Sequence, residues 1–366
     1  MRSIEVVVIG AGPAGLSAST ELAKVGVEVV LIDENNKPGG QLFKQIHKFF
    51  GSRAHMAGVR GIRIATQLLE NCKKYGVRTL LNTVAYGMFE DNIIGLVNND
   101  KSFFLHAKKI VLAVGASENV LNFPGWTLPG VMGAGALQTM MNVNRVLPGK
   151  RILMIGSGNV GLIVSYQALQ AGAKIVAIIE AAPQIGGYGV HASKVRRAGV
   201  PILISHTVQE VFGSNCVEGA VIVNLDKKWK PILGSERKLK VDLVCLSVGL
   251  TPLTELAWMA GCKFTYIPAL GGNVPIHDWN MESSKKGLYL AGDLTGIEEA
   301  STALEEGRLA GLAIAESLGY LKREEAFKRK AEVRERLIAL RAGPFGEIRR
   351  KLKEPFMQGD KIKENE

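Results

Sequence analysis

Cysteine is scarce: the chain of 366 residues has four, Cys72, Cys216, Cys245 and Cys262. Their separations of 144, 29 and 17 positions leave no Cys-x-x-Cys pair and no clustered ligand set for a metal ion or an iron-sulfur centre, so they read as reduced packing residues. The six histidines, His47, His55, His106, His191, His206 and His277, show no metal-ligand spacing either. No Ser-His-Asp ordering, phosphate loop or paired-carboxylate motif stands out, and no catalytic acid or base is assigned. Long apolar runs are missing as well: none approaches the roughly 20 residues that span a bilayer. The first strand-like run, Ile4 to Ile9, begins too early for a signal peptide, which makes a cytoplasmic location the expectation. Aromatic residues are only 6% of the chain and are not interleaved with a basic stripe, so nucleic acid is not an expected partner.

Positive charge is plentiful but uneven. The formal net charge is +11, and residues 320–366 hold 14 Lys/Arg against 9 Asp/Glu, a surplus of five in 47 residues. Within this tail, KREEAFKRKAEVRERLIALRAG (322–343) places Ala326, Val333, Leu337 and Leu340 on one helix face. Packing on the chain's own core and docking on a partner protein both remain open for that face.

Glycine is abundant: 42 of 366 residues exceeds the usual ~7% without any Gly-x-y period. The excess points to places where backbone approaches backbone or a ligand. Residues 6–34, VVVIGAGPAGLSASTELAKVGVEVVLIDE, align with residues 152–180, ILMIGSGNVGLIVSYQALQAGAKIVAIIE. Each is an apolar strand, a Gly-x-Gly-x-x-Gly turn, a helix-period stretch and a second apolar strand ending in acid. Gly10, Gly12 and Gly15, and again Gly156, Gly158 and Gly161, meet the three demands of a dinucleotide turn: a tight bend, backbone approach to a diphosphate, and close packing of helix on strand. A helix start supplies unpaired amides and a positive dipole end to the diphosphate; Asn159 and Val160 occupy that start in the second copy. Asp33 and Glu180 follow the first glycine by 23 and 24 positions, where a carboxylate can accept from ribose hydroxyls and repel a 2′-phosphate. The second site is therefore expected to take NAD rather than NADP.

The remaining pieces fix the order of domains. KPGGQL (37–42) follows the first unit, then a helical region near 58–75, strands near 77–90, 93–98 and 102–106, and a strand ending in glycine, IVLAVGA (110–116), which contains Ala113 and Gly115. The second unit comes next, then further β material and VCLSVGL (244–250). GLYLAGDLTG (287–296) reads as a buried strand, and 298–318 as a helix. The expected class is α/β, with two Rossmann-like dinucleotide-binding domains: an NAD-type domain (119–248) inserted into a split FAD-type domain (1–118 and 249–320), followed by a basic helical tail (321–366).

At these residues the chain resembles the two-dinucleotide-binding flavoproteins of the thioredoxin-reductase type, over roughly residues 1–320. The resemblance implies that Gly10, Gly12, Pro13, Ala14 and Gly15 bind the FAD diphosphate, and Asp33 with Glu34 the adenosine ribose. It implies further that Gly39, Gly40 and Gln41 run past the flavin, that Val84 makes the backbone contact to adenine, and that Gly292 and Asp293 meet the ribityl chain. The helix after Asp293 is expected to aim its positive end at the flavin, with Glu298 and Glu299 turned away or toward a partner. Thioredoxin reductases carry their redox Cys-x-x-Cys just before the second glycine turn. Here that stretch, GVMGAGALQTMMNVNRVLPG (130–149), has no thiol, which excludes disulfide reduction.

The chain is more similar still to the flavoprotein subunits of multi-subunit amine and imino-acid oxidoreductases, namely those of sarcosine oxidase (the alpha chain), opine oxidases, hydrogen cyanide synthase and dye-linked proline dehydrogenases. PGGQLFKQIHKFFGSRAHMAGVRGI (38–62), LPGKRILMIGSGNVGLIVSYQALQAGA (147–173), EAAPQIGGYGVHASKVRRAGVPIL (180–203) and AGDLTGIEEASTALEEGRLAG (291–311) carry this likeness. It implies an FAD-containing subunit of a hetero-oligomer. A companion flavoprotein subunit would oxidise proline, hydroxyproline or a sarcosine-like amine, and a small iron-sulfur protein on another chain is a further implied partner. A self-sufficient NADH-dependent flavin reductase and a non-catalytic nucleotide-binding subunit are the alternatives. His47 and His55, within the first stretch, read either as lining the flavin edge or as ordinary hydrogen-bonding histidines.

Overall fold

The computed structural model describes residues 3–49, 52–343 and 346–357, so Phe50, between the two histidines, and tail residues 344, 345 and 358–366 lie outside the described residues. The chain forms two compact units, one from residues 1–117 and 251–366 and one from residues 118–250.

The first unit begins with β1 (Ser3–Ile9), α1 (Pro13–Lys24), β2 (Val29–Ile32), α2 (Gly61–Lys74), β3 (Arg78–Leu80), β4 (Thr83–Phe89), β5 (Ile93–Asn98) and β6 (Lys101–Leu112). The sheet runs β3-β2-β1-β6-β5-β4, parallel from β3 to β6 and antiparallel through β5 and β4. Leu288–Leu290 adds to the end of β6 in parallel register. The expected strands at 102–106 and 110–116 merge into β6, which ends at Leu112, short of the expected limit. The polar residues at 106–109 do not break the period-two alternation, because Leu105 and Ala107 stay buried through them. The expected strand at 77–90 is instead two, divided at Asn82, whose φ of +48° turns the chain.

Because β1 is flanked by parallel neighbours, both of its faces are covered, which is why Val6–Val8 read as a continuous apolar run. Val6 and Val8 join one core and Ile4, Val7 and Ile9 another.

The second unit has a parallel sheet in the order Ile202–Ile204, Lys174–Glu180, Arg151–Ile155, Leu243–Leu246, Val131–Gly133. Helices α3 (Ala134–Asn142), α4 (Asn159–Gln170) and α5 (Gly189–Arg197) contribute to the core on one face. On the other face the core is completed by an antiparallel sheet of His206–Phe212, Gly219–Asn224 and Arg237–Leu239.

The chain returns to the first unit with α6 (Glu255–Met259), α7 (Ala300–Ser317), α8 (Arg323–Leu340) and α9 (Gly346–Met357). Helices α1 and α7 meet through small residues: a Cβ on Gly307 would lie 2.0 Å from the Ala14 carbonyl oxygen. Ala326, Val333 and Leu337 of α8 join that same core. The tail that the sequence set apart from residue 321 is therefore, in its described part, a layer of the first unit, and three of the four residues of its apolar helix face are spent internally, while Leu340 is only partly buried and outside that core.

Candidate functional site

The two glycine turns share one construction. In each, the first glycine has a positive φ, +100° at Gly10 and +101° at Gly156. A Cβ on Gly10 would lie 2.2 Å from the Ala113 carbonyl oxygen, and one on Gly156 would lie 2.1 Å from that of Ser247. The third glycines are closed by their own turns: a Cβ on Gly15 would lie 1.8 Å from the Gly10 oxygen, and one on Gly161 would lie 2.3 Å from the Gly156 oxygen. Only the middle glycines face open space, with nothing within 4 Å of a Cβ on Gly12 or on Gly158. These middle glycines are the N-caps of α1 and α4, where no side chain caps the helix and no acid stands in the first turn. The first amides and the positive helix end are thus available to an anion at the point where the backbone is bare. Pro13 and Ala14 open α1, Pro13 at a position whose missing N–H costs nothing. A diphosphate fits this arrangement at both turns.

The strand-end acids do more than the sequence implied. Asp33 accepts the Ala11 N–H at 2.7 Å through Oδ2, and the Asn35 N–H at 2.8 Å through Oδ1. Glu180 repeats the scheme with the Ser157 N–H at 2.9 Å, the Ser157 hydroxyl at 2.7 Å and the Ala182 N–H at 3.0 Å. Each acid ties its own strand end to the turn it serves. Glu34 is exposed beside Asp33. Val84 lies next to this strand end, since the Thr83 N–H bonds the Asp33 carbonyl at 3.0 Å, and its side chain is exposed.

The repeat continues beyond the acids. Gly39 and Gly40 stand six and seven residues after Asp33, and Gly186 and Gly187 stand six and seven after Glu180. The Gly39 N–H bonds the Ala11 carbonyl at 2.6 Å, and that of Gly187 the Ser157 carbonyl at 2.9 Å. A Cβ on Gly40 would lie 2.9 Å from Gly12 Cα, and one on Gly187 would lie 2.9 Å from the Asn159 nitrogen. Both glycine pairs cross directly over a turn. The second pair was missed in the sequence, although its equal offset from the acid was a readable signal. Asn159 fastens this crossing by accepting the Tyr188 N–H at 2.8 Å, while the neighbouring Val160 is exposed. Gln41 is exposed just past Gly40. Gly115, at φ +79°, likewise has nothing within 4 Å of a Cβ.

Gly292, at φ +77°, packs close to α1: a Cβ there would lie 3.1 Å from Ala14 Cβ. Its N–H is held by Glu306 Oε2 at 2.9 Å. Burial lifts the Asp293 carboxyl to about 6, against the pull of the Glu298 N–H. Glu298, expected to point away or toward a partner, instead turns into its own fold. It is one of two buried carboxylates, Glu298 and Glu306, that meet two buried cations, Arg341 and Lys353. Lys353 Nζ, on a side chain 1% exposed, lies 3.0 Å from Glu298, 2.9 Å from Glu306 and 3.1 Å from Thr295 Oγ1. Glu298, just ahead of the α7 N-cap, is therefore a neutralised acid. Glu299 is exposed.

His55 is an internal hydrogen-bonding residue: its Nε2 lies 2.9 Å from Glu305 Oε1 and its Nδ1 2.9 Å from Ser52 Oγ. His47 stacks on Phe49 with ring centroids 5.9 Å apart. Cys72, Cys245 and Cys262 are buried as packing residues, whereas Cys216 is exposed, and all four thiols are free. Among the described residues no His/Cys/Asp/Glu group is arranged for a metal ion, and no helix is long and apolar enough to cross a membrane.

Comparison with known proteins agrees with this construction. An opine oxidase subunit of Agrobacterium tumefaciens (strain Ach5) is 28% identical over 326 residues, which are 84% of this chain and 65% of that protein. The chain thus spans about two thirds of that relative's length. The thioredoxin reductase of T. acidophilum superposes with a TM-score of 0.72 at 22% identity, over 87% of this chain and all of that one. The L-proline dehydrogenase of P. horikoshii superposes with a TM-score of 0.69 at 24% identity, over 91% of this chain and 59% of that one. A family model described as pyridine nucleotide-disulphide oxidoreductase matches residues 4–307. With two glycine turns of one design on a thioredoxin-reductase-like fold, the chain belongs to the pyridine nucleotide-disulphide oxidoreductase family.

Proposed function

We propose that the chain is the FAD-binding subunit of a heteromeric dehydrogenase or oxidase acting on an imino acid or secondary amine such as proline, hydroxyproline or a sarcosine-like compound. The observation that carries the cofactor assignment is the open backbone at Gly12, on an uncapped helix start beside Asp33. FAD binding is what membership of the family implies. The subunit role is supported by the likeness to a relative named as an oxidase subunit, and the substrate class by the likeness to a proline dehydrogenase.

Bound flavin supplies reversible two-electron transfer. The protein's part is binding and electrostatics. The turn Gly10–Gly15, with the backbone of Gly12, Pro13 and Ala14 at the helix start, holds the diphosphate, while Asp33 and Glu34 accept from the ribose. Val84 offers backbone to the adenine. Gly39, Gly40 and Gln41 would border the ring system, Ala113, whose carbonyl backs Gly10, and Gly115, with open space beside it, would complete the lining, and Gly292 and Asp293 would meet the ribityl chain. With Glu298 neutralised by Arg341 and Lys353, the start of α7 would offer its positive helix end to a reduced flavin. At the second turn, Gly156, Gly158, Asn159, Val160 and Gly161 take the diphosphate of NAD, and Glu180 its ribose.

Disulfide reduction is not part of the reading. The segment 130–149 has no thiol, and Cys245 is buried in apolar surroundings that raise its thiol far out of the reactive range. The companion amine-oxidising protein and the iron-sulfur protein belong to the same proposal.

A visible spectrum and cofactor extraction on the purified chain test the first step, with one flavin per chain expected. Amine-dependent dye reduction should then appear only when a companion subunit is added. The second turn with Glu180 favours one other reading, a self-sufficient NADH-dependent flavin reductase. Flavin bleaching by NADH alone would select it.

A further inference from the structure

The tail is not the only concentration of positive charge. Residues 225–240, LDKKWKPILGSERKLK, hold six Lys/Arg against two Asp/Glu. They form the connection between Gly219–Asn224 and Arg237–Leu239 in the second unit, together with the second of these strands. Lys227, Lys228, Lys230, Arg237, Lys238 and Lys240 are all exposed. The same connection turns three large apolar side chains to solvent: Trp229 at 59%, Ile232 at 44% and Leu233 at 91% exposure.

This loop is held in shape by its own bonds. Asp226 Oδ1 accepts the N–H groups of Lys228 at 2.8 Å and Lys230 at 2.9 Å, and the Asp226 carbonyl accepts that of Trp229 at 3.0 Å. Leu225 bridges Pro231 in antiparallel fashion. Trp229 is fixed at φ +62°, a left-handed conformation that bulky residues avoid. Such a conformation persists only where its surroundings impose it, and here it leaves the indole exposed.

Exposed indole and leucine gain by leaving water, while the surrounding cations select a negatively charged surface. Four net positive charges around an exposed apolar tip match the headgroup layer of an anionic bilayer, which deforms around an inserted side chain. Tryptophan and lysine are the residues that favour that layer, with rings at headgroup level and ammonium groups reaching the phosphates. We propose that residues 225–240 dock the protein peripherally on an anionic lipid surface, with Trp229, Ile232 and Leu233 entering the headgroup region and the lysines contacting lipid phosphates. The proposal is independent of what fills the glycine turns.

Co-sedimentation of the full chain with vesicles of equal parts phosphatidylglycerol and phosphatidylcholine, compared with phosphatidylcholine alone, tests it. Binding is expected to the anionic vesicles only and to fade in high salt. The double variant Trp229→Ala/Leu233→Ser should bind at least about tenfold more weakly. Lys227→Ala and Lys228→Ala should each cost roughly fivefold. Lys322→Ala/Lys328→Ala, exposed on and beside α8, should change nothing. Matching melting curves keep folding out of the comparison. No binding to the anionic vesicles overturns the proposal. So does binding that survives the double variant, or that is lost in the α8 variant instead. Capture of an acidic protein by the wild type and not by the double variant, with vesicles unbound, would assign the loop to a protein partner and overturn it equally.

Discussion

Asp33 accepts the N–H of Ala11 at 2.7 Å, across 22 positions of sequence, and so joins the end of the second strand to the first glycine turn. Glu180 does the same for Ser157 in the second unit. The acid that the sequence assigns to a ribose is also a structural clamp, because a carboxylate has acceptor positions enough for both roles.

Asp33→Asn should therefore destabilise the protein before any nucleotide is added, by about 1–3 kcal/mol, since the amide must turn a donor toward one of the N–H groups it now accepts. Thermal unfolding of nucleotide-free protein measures this. Glu180→Gln should act likewise, and unchanged melting in both would remove the clamp.

Gly12→Ala and Gly15→Ala should separate ligand space from packing space. The first adds a methyl where nothing lies within 4 Å, so the protein should fold with near-normal stability and lose flavin. The second forces a methyl to 1.8 Å from the Gly10 carbonyl oxygen, and should cost about 1–3 kcal/mol or more in stability. Melting temperature and flavin content of each variant give the answer. Normal flavin in Gly12→Ala would refute the diphosphate assignment.

Lys353→Met should be among the most damaging single substitutions outside the turns. It leaves Glu298 and Glu306 with Arg341 as the one remaining cation of the four-residue cluster, a loss of about 3–5 kcal/mol. Combining it with Glu298→Gln should recover part of that loss, which chemical denaturation of the single and double variants would show. Burial pushes the Glu306 carboxyl up, but Lys353 and Arg341 outweigh it and hold it at about 2. The stability this confers is complete above the ordinary value of 4.5 and disappears as pH falls toward 2.

His277 and Asp293 should give opposite pH dependences. Burial lowers the His277 imidazole to about 4 from 6.5, so in that window the unfolded chain binds a proton that the native one does not. Stability from this group rises with pH across the window, by about 3 kcal/mol, and is lost as pH falls. Burial raises Asp293 from 3.8 to about 6, so there the native form holds the extra proton and stability falls as pH rises. Urea denaturation between these limits should show Asp293→Asn becoming more stable toward neutral pH than the wild type does, and His277→Gln showing the reverse trend.

Much of this was readable along the chain. Two glycine turns, the strands that lead into them and the acids that follow are contiguous patterns, set by hydrophobic period and by the few residues that tolerate a tight bend. Element boundaries failed where local polarity misled: the residues at 106–109 suggested a break inside β6, yet alternation carried the strand through. The second glycine pair, Gly186 and Gly187, was legible in principle from its offset to Glu180.

By itself, the sequence determined the α/β order and the repeated nucleotide turn, because both depend on neighbours within about thirty positions. Tertiary structure alone decided that Asp33 clamps Ala11, that Lys353 is buried between Glu298 and Glu306, and that Ala326, Val333 and Leu337 of α8 join the core of the first unit. Lys353 and Glu298 look like ordinary solvated charges in a one-dimensional reading. Which opposite charge each one meets, and how much water is removed on the way, is set by helices packed from distant parts of the chain.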